Sequence, residues 1–251
     1  MTVTYSPRES FESPTWSEVD HQKIYFIRAR DFTGEFGRLR WWSKYDLFEF
    51  NISSEKKSLL VENLDSPIVF WSKDEQTVYY LRDKKEASGN VLYSLNVSSK
   101  QEKRVAEGLP RKIVPSPDRQ SVVYVVNDGW NSSLLLLQIE KAVSKKLLWE
   151  YEGRFCFHGI KNLVWSHNGK YLAFTAQRFE GPNNYEPTWI IEIDSGKIFQ
   201  IPTTQKIDDV KSIDWSPNDS LIAITDNPSS QIYKILIEPT DTTKLGAPKC
   251  K

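Results

Sequence analysis

An all-β chain built as a β-propeller is the architecture that this sequence predicts, and three observations predict it. A phrase of strand, tight turn and strand recurs five times. Its anchors stand 55, 44, 50 and 50 residues apart, a period of about 40 to 50 that belongs to propeller blades rather than to helical arrays. Each copy is followed by two more strand-like runs, so every repeat reads as four antiparallel strands.

The fullest copy runs from Asn162 to Ala176. Its first strand ends at Trp165-Ser166, a turn follows at His167-Asn168-Gly169-Lys170, and the second strand runs from Tyr171 to Ala176. Asn168 and Gly169 both tolerate positive φ, which suits a hairpin turn. The other anchors are Trp16-Ser17, Trp71-Ser72, Pro115-Ser116 and Trp215-Ser216. Second strands follow at 24–27, 78–81, 122–125, 171–174 and 221–224. They are continuous β-branched and aromatic runs, as strands covered on both faces by neighbouring blades require. Third strands are expected at 47–52, 91–95, 134–139, 189–193 and 232–237, several of them alternating apolar and polar as strands nearer a rim do. A short fourth strand is clearest at Ile198 to Ile201, after the turn Asp194-Ser195-Gly196-Lys197.

Trp215-Ser216-Pro217-Asn218-Asp219-Ser220-Leu221-Ile222-Ala223 and Pro115-Ser116-Pro117-Asp118-Arg119-Gln120-Ser121-Val122-Val123-Tyr124 resemble the W-S-P-D-G-x-x-I-A-F core of the TolB-type, WD-like β-propeller repeat. The same repeat occurs in the propeller domains of prolyl oligopeptidase and dipeptidyl peptidase IV relatives. The resemblance touches nearly the whole chain at five places and implies a fold, because that repeat builds blades and carries no chemistry of its own. Blades one and two depart from it by lacking the proline, and blade three by carrying Pro115 in place of tryptophan.

The expected organisation is one propeller domain over 1–251, with blades near 12–63, 64–108, 109–153, 154–206 and 207–251. A six-bladed ring with one blade degenerate or missing is the alternative count. Residues 1–11 include a strand-like Val3-Thr4-Tyr5 that could complete the last blade, whose own continuation, Glu238 to Thr243, is a poor strand. The competing source of that strand is Lys244 to Pro248.

Composition narrows the function classes. Thirty-three basic residues balance 33 acidic ones, so the net positive field of a nucleic-acid binder is missing. Nine Trp, 11 Tyr and 12 Phe are enough aromatic surface to fill the seams between blades. No apolar stretch reaches the length of a membrane span, and Met1 to Glu12 has neither the basic cap nor the apolar core of a secretion signal. Cys156 and Cys250 form no disulfide framework, so the expected address is cytoplasmic, or periplasmic or exported if a signal has been removed. Sequons at Asn51, Asn96, Asn131 and Asn218 matter only in the exported case.

Up-and-down strand order places the connections from second to third strands on one face, together with the links between blades. The long insertions fall there: Arg30 to Tyr45 in blade one, Arg178 to Pro187 in blade four, and shorter ones at 83–90 and 127–131. The link Gly153 to Gly159 joins them. That face thus collects Arg30, Arg38, Arg40, Trp41, Trp42, Trp130, His158, Arg178, Phe179 and Tyr185, the candidate binding residues. Arg and Trp combine stackable area with hydrogen-bond donors and dominate binding hot spots. The competing structural role is that Trp41-Trp42 begin an extended third strand while the arginines pair with nearby acids.

Catalytic signatures are sparse. No Gly-x-Ser-x-Gly elbow occurs, and His21, His158 and His167 stand in unrelated contexts without a His-Glu-x-x-His, a paired-Cys motif or an acidic calcium loop. The sequence therefore predicts a monomeric, non-enzymatic scaffold that binds a protein or peptide, with no cofactor, metal, nucleic acid or membrane span. The alternatives are a channel-site hydrolase or sugar-active propeller enzyme, and a stand-alone relative of a peptidase propeller domain.

Overall fold

The computed structural model describes residues 9–33, 39–83, 89–110, 112–128, 131–147, 157–178, 187–201, 210–226 and 232–236. Among them every regular element is a strand, and no helix is long and apolar enough to cross a membrane. The strands form five antiparallel sheets in strict sequence order. The first holds β1 (Glu9–Trp16), β2 (Lys23–Thr33), β3 (Leu39–Asn51) and β4 (Lys56–Leu64), and the second holds β5 (Val69–Trp71), β6 (Thr77–Asp83), β7 (Asn90–Asn96) and β8 (Glu102–Leu109). The third comprises β9 (Ile113–Pro115), β10 (Ser121–Asp128), β11 (Asn131–Gln138) and β12 (Val143–Lys146). The fourth comprises β13 (Phe157–Trp165), β14 (Tyr171–Arg178), β15 (Thr188–Glu192) and β16 (Ile198–Gln200), and the fifth β17 (Val210–Trp215), β18 (Leu221–Asp226) and β19 (Ile232–Leu236).

All five anchors thus end the first strand of a sheet. Residues 9–11, placed by sequence ahead of the first blade, open β1. Val3 to Tyr5 and Lys244 to Pro248, the two candidate closing strands, lie outside the described residues. The chain divides into two compact units, Met1–Arg111 with the first two sheets and Lys112–Lys251 with the other three.

The turn after four of the five anchors, those of the second to fifth sheets, differs from the expectation. Gly169 has φ 71° and its counterparts Glu75, Arg119 and Asp219 have φ 53°, 64° and 57°, whereas Asn168 is not left-handed. One residue, not two, takes positive φ, because the loop is a four-residue reversal closed by the anchor serine rather than a two-residue primed turn. Ser166 Oγ accepts the Tyr171 N–H at 2.9 Å, and the equivalent oxygens of Ser72, Ser116 and Ser216 accept Thr77, Ser121 and Leu221 N–H at 3.0 Å. Asp74, Asp118, Asn168 and Asn218 in turn accept from those hydroxyls at 2.6, 2.5, 2.8 and 2.8 Å. At Asp74 the Ser72 hydrogen bond, followed by the Gln76 N–H, holds the carboxyl below its ordinary value.

Within each unit the sheets stack face on face, the leading face of one against the trailing face of the one before. Tyr25, Ile27, Leu47, Val61 and Leu64 of the first sheet pack with Val78, Tyr80 and Leu95 of the second. Leu134, Leu136 and Leu147 pack with Leu172, Phe174 and Trp189 across the third and fourth. Ala173, Ile190 and Ile201 pack with Ile213, Trp215, Ile222 and Ile224 across the fourth and fifth. Three of the anchor tryptophans, Trp71, Trp165 and Trp215, fill these seams. Trp71 lies on Tyr25 with ring centroids 4.1 Å apart. Trp165 Nε1 donates to the Val114 carbonyl at 3.3 Å, and Trp215 Nε1 to the Val164 carbonyl at 3.2 Å.

The left-handed turn position adds a polar latch to two of the seams. The Glu75 carboxylate accepts from Ser17 Oγ at 2.5 Å, Glu18 N–H at 2.6 Å and Tyr25 Oη at 3.1 Å in the preceding sheet. Burial, and then the Glu75 charge, push the Tyr25 hydroxyl well above the ordinary phenol value, so it stays a donor. Asp219 repeats the arrangement, accepting His167 N–H at 2.7 Å and Asn168 N–H at 2.8 Å, with His167 Nδ1 at 3.0 Å. Burial alone would raise the Asp219 pKa, but those two N–H donors and the imidazole outweigh it and hold it low.

Candidate functional site

The β2–β3 hairpin carries the candidate site in the first unit. The insertion expected as a loop from Arg30 to Tyr45 is mostly strand: β2 continues to Thr33, and β3 begins at Leu39 rather than near Leu47. The physical reason is composition, since 39–45 is rich in aromatic residues that favour a pleated pair. Register is unbroken from Lys23↔Asn51 to Asp31↔Ser43 and shifts between Asp31 and Thr33, at the outer end of the hairpin.

A buried carboxylate fixes the stem. Asp46 is 1% exposed and sits in β3 opposite Arg28. Its Oδ2 accepts Arg28 Nε at 3.2 Å and Nη2 at 2.8 Å, and its Oδ1 accepts Arg30 Nη2 at 2.7 Å and Asn63 N–H at 3.0 Å. Arg30 Nη2 also donates to Asn63 Oδ1 at 2.9 Å, where a φ of 58° turns the Asn63 backbone inward. Burial works against ionising Asp46, yet the Asn63 N–H and the two guanidinium groups prevail and keep its pKa below the usual carboxylate range. Next along the hairpin, Lys44 pairs with Asp65, whose other oxygen accepts Asp83 N–H of β6 at 2.9 Å. Two bonds from Arg28 to one carboxylate, with Arg30 closing the other side, define the hairpin's direction more tightly than backbone pairing alone.

The structure distributes the sequence-predicted binding residues as follows. Arg30 belongs to this ion-pair cluster, with its guanidinium committed to Asp46 and Asn63. Arg40, Trp41 and Trp42 lie in β3 on the outer part of the same hairpin. In the second unit His158 stands in β13 opposite Gln177, and Arg178 ends β14 opposite Phe157, which puts the two one register step apart on paired strands. Arg38, Trp130, Phe179 and Tyr185 lie outside the described residues. Asp46, Asn63 and Asp65 were missed. The available signal was Arg28-x-Arg30, two cations two apart on a strand, which demands an acid across the pair.

In the second unit, the side chains of Ser132, which is buried, and Asn162, which is half-buried, tie neighbouring sheets together. Ser132 Oγ accepts Gly159 N–H at 3.1 Å and donates to Asn127 Oδ1 at 2.8 Å. Asn162 Nδ2 donates to Thr175 Oγ1 at 3.1 Å and to the Val210 carbonyl at 2.9 Å. Asn162 reaches both because β13 bulges there, with φ 54°. Among the described residues, no group of three or more His, Cys, Asp or Glu side chains gathers that could hold a metal ion.

No protein-family model and no curated protein matches the sequence. The fold does have solved counterparts. The chain is similar to TolB from Acinetobacter baumannii, with TM-score 0.55 and 17% identity over 92% of this chain and 55% of that one. It is similar to the β-propeller domain of the Trilobed protease from Pyrococcus furiosus, described as having an open velcro topology, with TM-score 0.60 and 11% identity over 93% and 70% of the two chains. It also resembles Porphyromonas gingivalis dipeptidyl peptidase 4, with TM-score 0.59 and 9% identity over 90% of this chain and 37% of that one. The chain thus spans about half the length of the TolB structure it matches. Identities this low speak for fold alone, and the fold is an all-β propeller of antiparallel blades.

Proposed function

We propose that the chain is a non-enzymatic propeller scaffold that captures a protein or peptide partner on the β2–β3 hairpin, with Arg40, Trp41 and Trp42 as principal contacts and Arg38 beside them. One observation carries this reading: β2 and β3 are 11 and 13 residues long, and the stem they share is pinned through a nearly inaccessible Asp46 by two arginines. A rigid stem presents its outer residues at little cost in ordering entropy, which is what a recognition element needs. The aromatic and cationic residue types on the outer part are those that dominate hot spots.

The test is cross-linking capture from the host to identify the partner, followed by calorimetric titration of that partner against the chain and against Arg40→Ala and Trp41→Ala variants. Each variant is expected to lose about 2 kcal/mol or more of binding, roughly thirtyfold in Kd, without loss of folding. An unchanged Kd for both variants would remove the hairpin from the interface. So would a Trp41→Ala protein that melts as early as one truncated at the seam residue Trp215.

A further inference from the structure

Asn168-Gly169 is the one Asn-Gly pair in the sequence. In such a pair the main-chain nitrogen of the second residue closes most freely on the side-chain amide of the first, because glycine carries no Cβ to obstruct the approach. Asn168 is exposed. In the folded turn both reacting groups are nevertheless committed. Gly169 N–H donates to the Ser166 carbonyl at 3.0 Å, and Asn168 Oδ1 accepts from Ser166 Oγ and from the Lys170 N–H, each at 2.8 Å. From across the seam, Asp219 holds the His167 and Asn168 N–H groups at 2.7 and 2.8 Å. Attack of Gly169 N on Asn168 Cγ therefore requires the turn to open, and a carboxylate of the fifth sheet resists that opening.

The neighbouring turns show what a carboxylate at this place would do. Asp118 stands two residues after the anchor serine of the third sheet, as Asn168 does in the fourth, and it likewise accepts from that serine hydroxyl and from the N–H two residues on. The turn itself accepts Asp in place of Asn. The seam does not. The fourth sheet brings Gly169 to the third-sheet turn, where a Cβ on it would lie 3.9 Å from Pro117 Cδ, so there is no side chain to confront Asp118. The fifth sheet brings Asp219 to Asn168. Where Glu75 reaches the first sheet in the same way, the equivalent place holds Val19. In these seams a latching acid meets a neutral residue, and an acid at the receiving place meets glycine. Asp219 is ionised near neutral pH, so a carboxylate at 168 would create the like-charge pair that both units avoid.

We propose that Asn168-Gly169 is a self-modifying pair gated by the Asp219 latch, and that its carboxylate product hinders the latch from closing again. When the turn opens, Gly169 N gives up its proton to solvent and bonds to Asn168 Cγ. The Cγ–Nδ2 bond breaks, and Nδ2 takes up a proton and leaves as ammonia. The product is a five-membered succinimide. Water then adds either to Cγ, which gives aspartate, or to the main-chain carbonyl carbon of residue 168, which gives isoaspartate with a methylene inserted into the chain. The net change is one water consumed and one ammonia released, with no oxidant, reductant or cofactor. Either product sets a carboxylate beside Asp219, and repulsion between them weakens the two N–H bonds that close the latch. The change is one-way, so the fourth and fifth sheets loosen as the molecule ages.

Peptide mapping by mass spectrometry tests the gate, on the full chain incubated at neutral pH below its melting temperature. Amide loss at 168 is read in the tryptic segment 162–170. Folded wild type is expected to react more slowly than the same chain in denaturant. Asp219→Asn, which weakens the latch, should react about 5- to 30-fold faster than folded wild type; the amide it introduces falls in a different tryptic segment, 212–234. His167→Pro checks the gate without touching Asp219, because it removes one of the two N–H donors from a turn that holds proline at the same place in Pro117 and Pro217, and it too should react faster. Asn168→Asp supplies one product directly. It should melt below wild type near neutral pH, and the deficit should shrink when Asp219→Asn is also present. Wild type that reacts as fast folded as denatured overturns the proposal, as do latch variants that react no faster than wild type. An Asn168→Asp protein as stable as wild type, or a deficit that Asp219→Asn leaves unchanged, overturns it as well.

Discussion

Replacing Asp219 by Asn isolates the polar latch between the fourth and fifth sheets. The left-handed backbone at φ 57° tolerates Asn nearly as well as Asp, so the substitution adds little strain. One amide oxygen can keep the bond to His167 or Asn168, but the amide NH2 then faces the other N–H, donor against donor. A hydrogen bond to a charged acceptor contributes about 1.5–3 kcal/mol. The two donors sit in an exposed turn where water replaces part of that, so about 1–2 kcal/mol should be lost near neutral pH. For a chain of this size that corresponds to a fall in Tm of roughly 2–8 °C. The sign of the pH dependence follows from the lowered pKa of Asp219. A depressed carboxylate stabilises fully above its unfolded value of about 3.9, and the contribution disappears as pH falls through the folded value. Differential scanning calorimetry of wild type and variant from neutral pH down to about pH 2 should therefore show two melting temperatures that converge on acidification. A gap that persists unchanged at the acid end, or that is absent at neutral pH, would refute the latch as an ionised acceptor.

Three further outcomes follow from the same geometry. Trp215→Ala should cost about 3–5 kcal/mol in chemical denaturation, because the ring is 4% exposed in a packed seam, whereas Trp16→Ala in dilute solution should cost under about 1 kcal/mol. Asp46→Asn should lose about 2–4 kcal/mol, the low side of the range for a broken buried ion pair because Arg28 and Arg30 retain side-chain exposures of 24% and 26%; amide hydrogen exchange should quicken in β2 and β3 but not in the second unit. Gly89→Ala should destabilise the second sheet by more than about 1 kcal/mol, since φ is 102° and the new Cβ would lie 2.8 Å from the Gly108 Cα; a melting temperature equal to wild type would contradict that close backbone approach.

The periodicity of the chain was enough to place all five first strands and their anchors, because a blade's strand order is local: each strand pairs with its sequence neighbour, so alternation and turn residues carry the information. Trp165 and Trp215 were legible as seam residues for the same reason. What the sequence could not decide was anything set between strands far apart in the repeat or between sheets. Trp41 and Trp42 read equally well as loop or strand, and the structure puts them in β3, between the last regular pair Asp31↔Ser43 and the shifted pair Thr33↔Leu39. Arg30 read as a binding residue, and only the arrival of Asp46 from across the pair and of Asn63 from β4 shows where its guanidinium is held. Glu75 and Asp219 look like unremarkable turn residues, because the groups they accept belong to the preceding sheet, 57 and 52 positions away. Trp16 matches Trp215 in sequence and differs from it in burial, 58% against 4%. Local pattern determines which residue a strand offers to its neighbour; whether a neighbour is there to cover it is a property of tertiary structure alone.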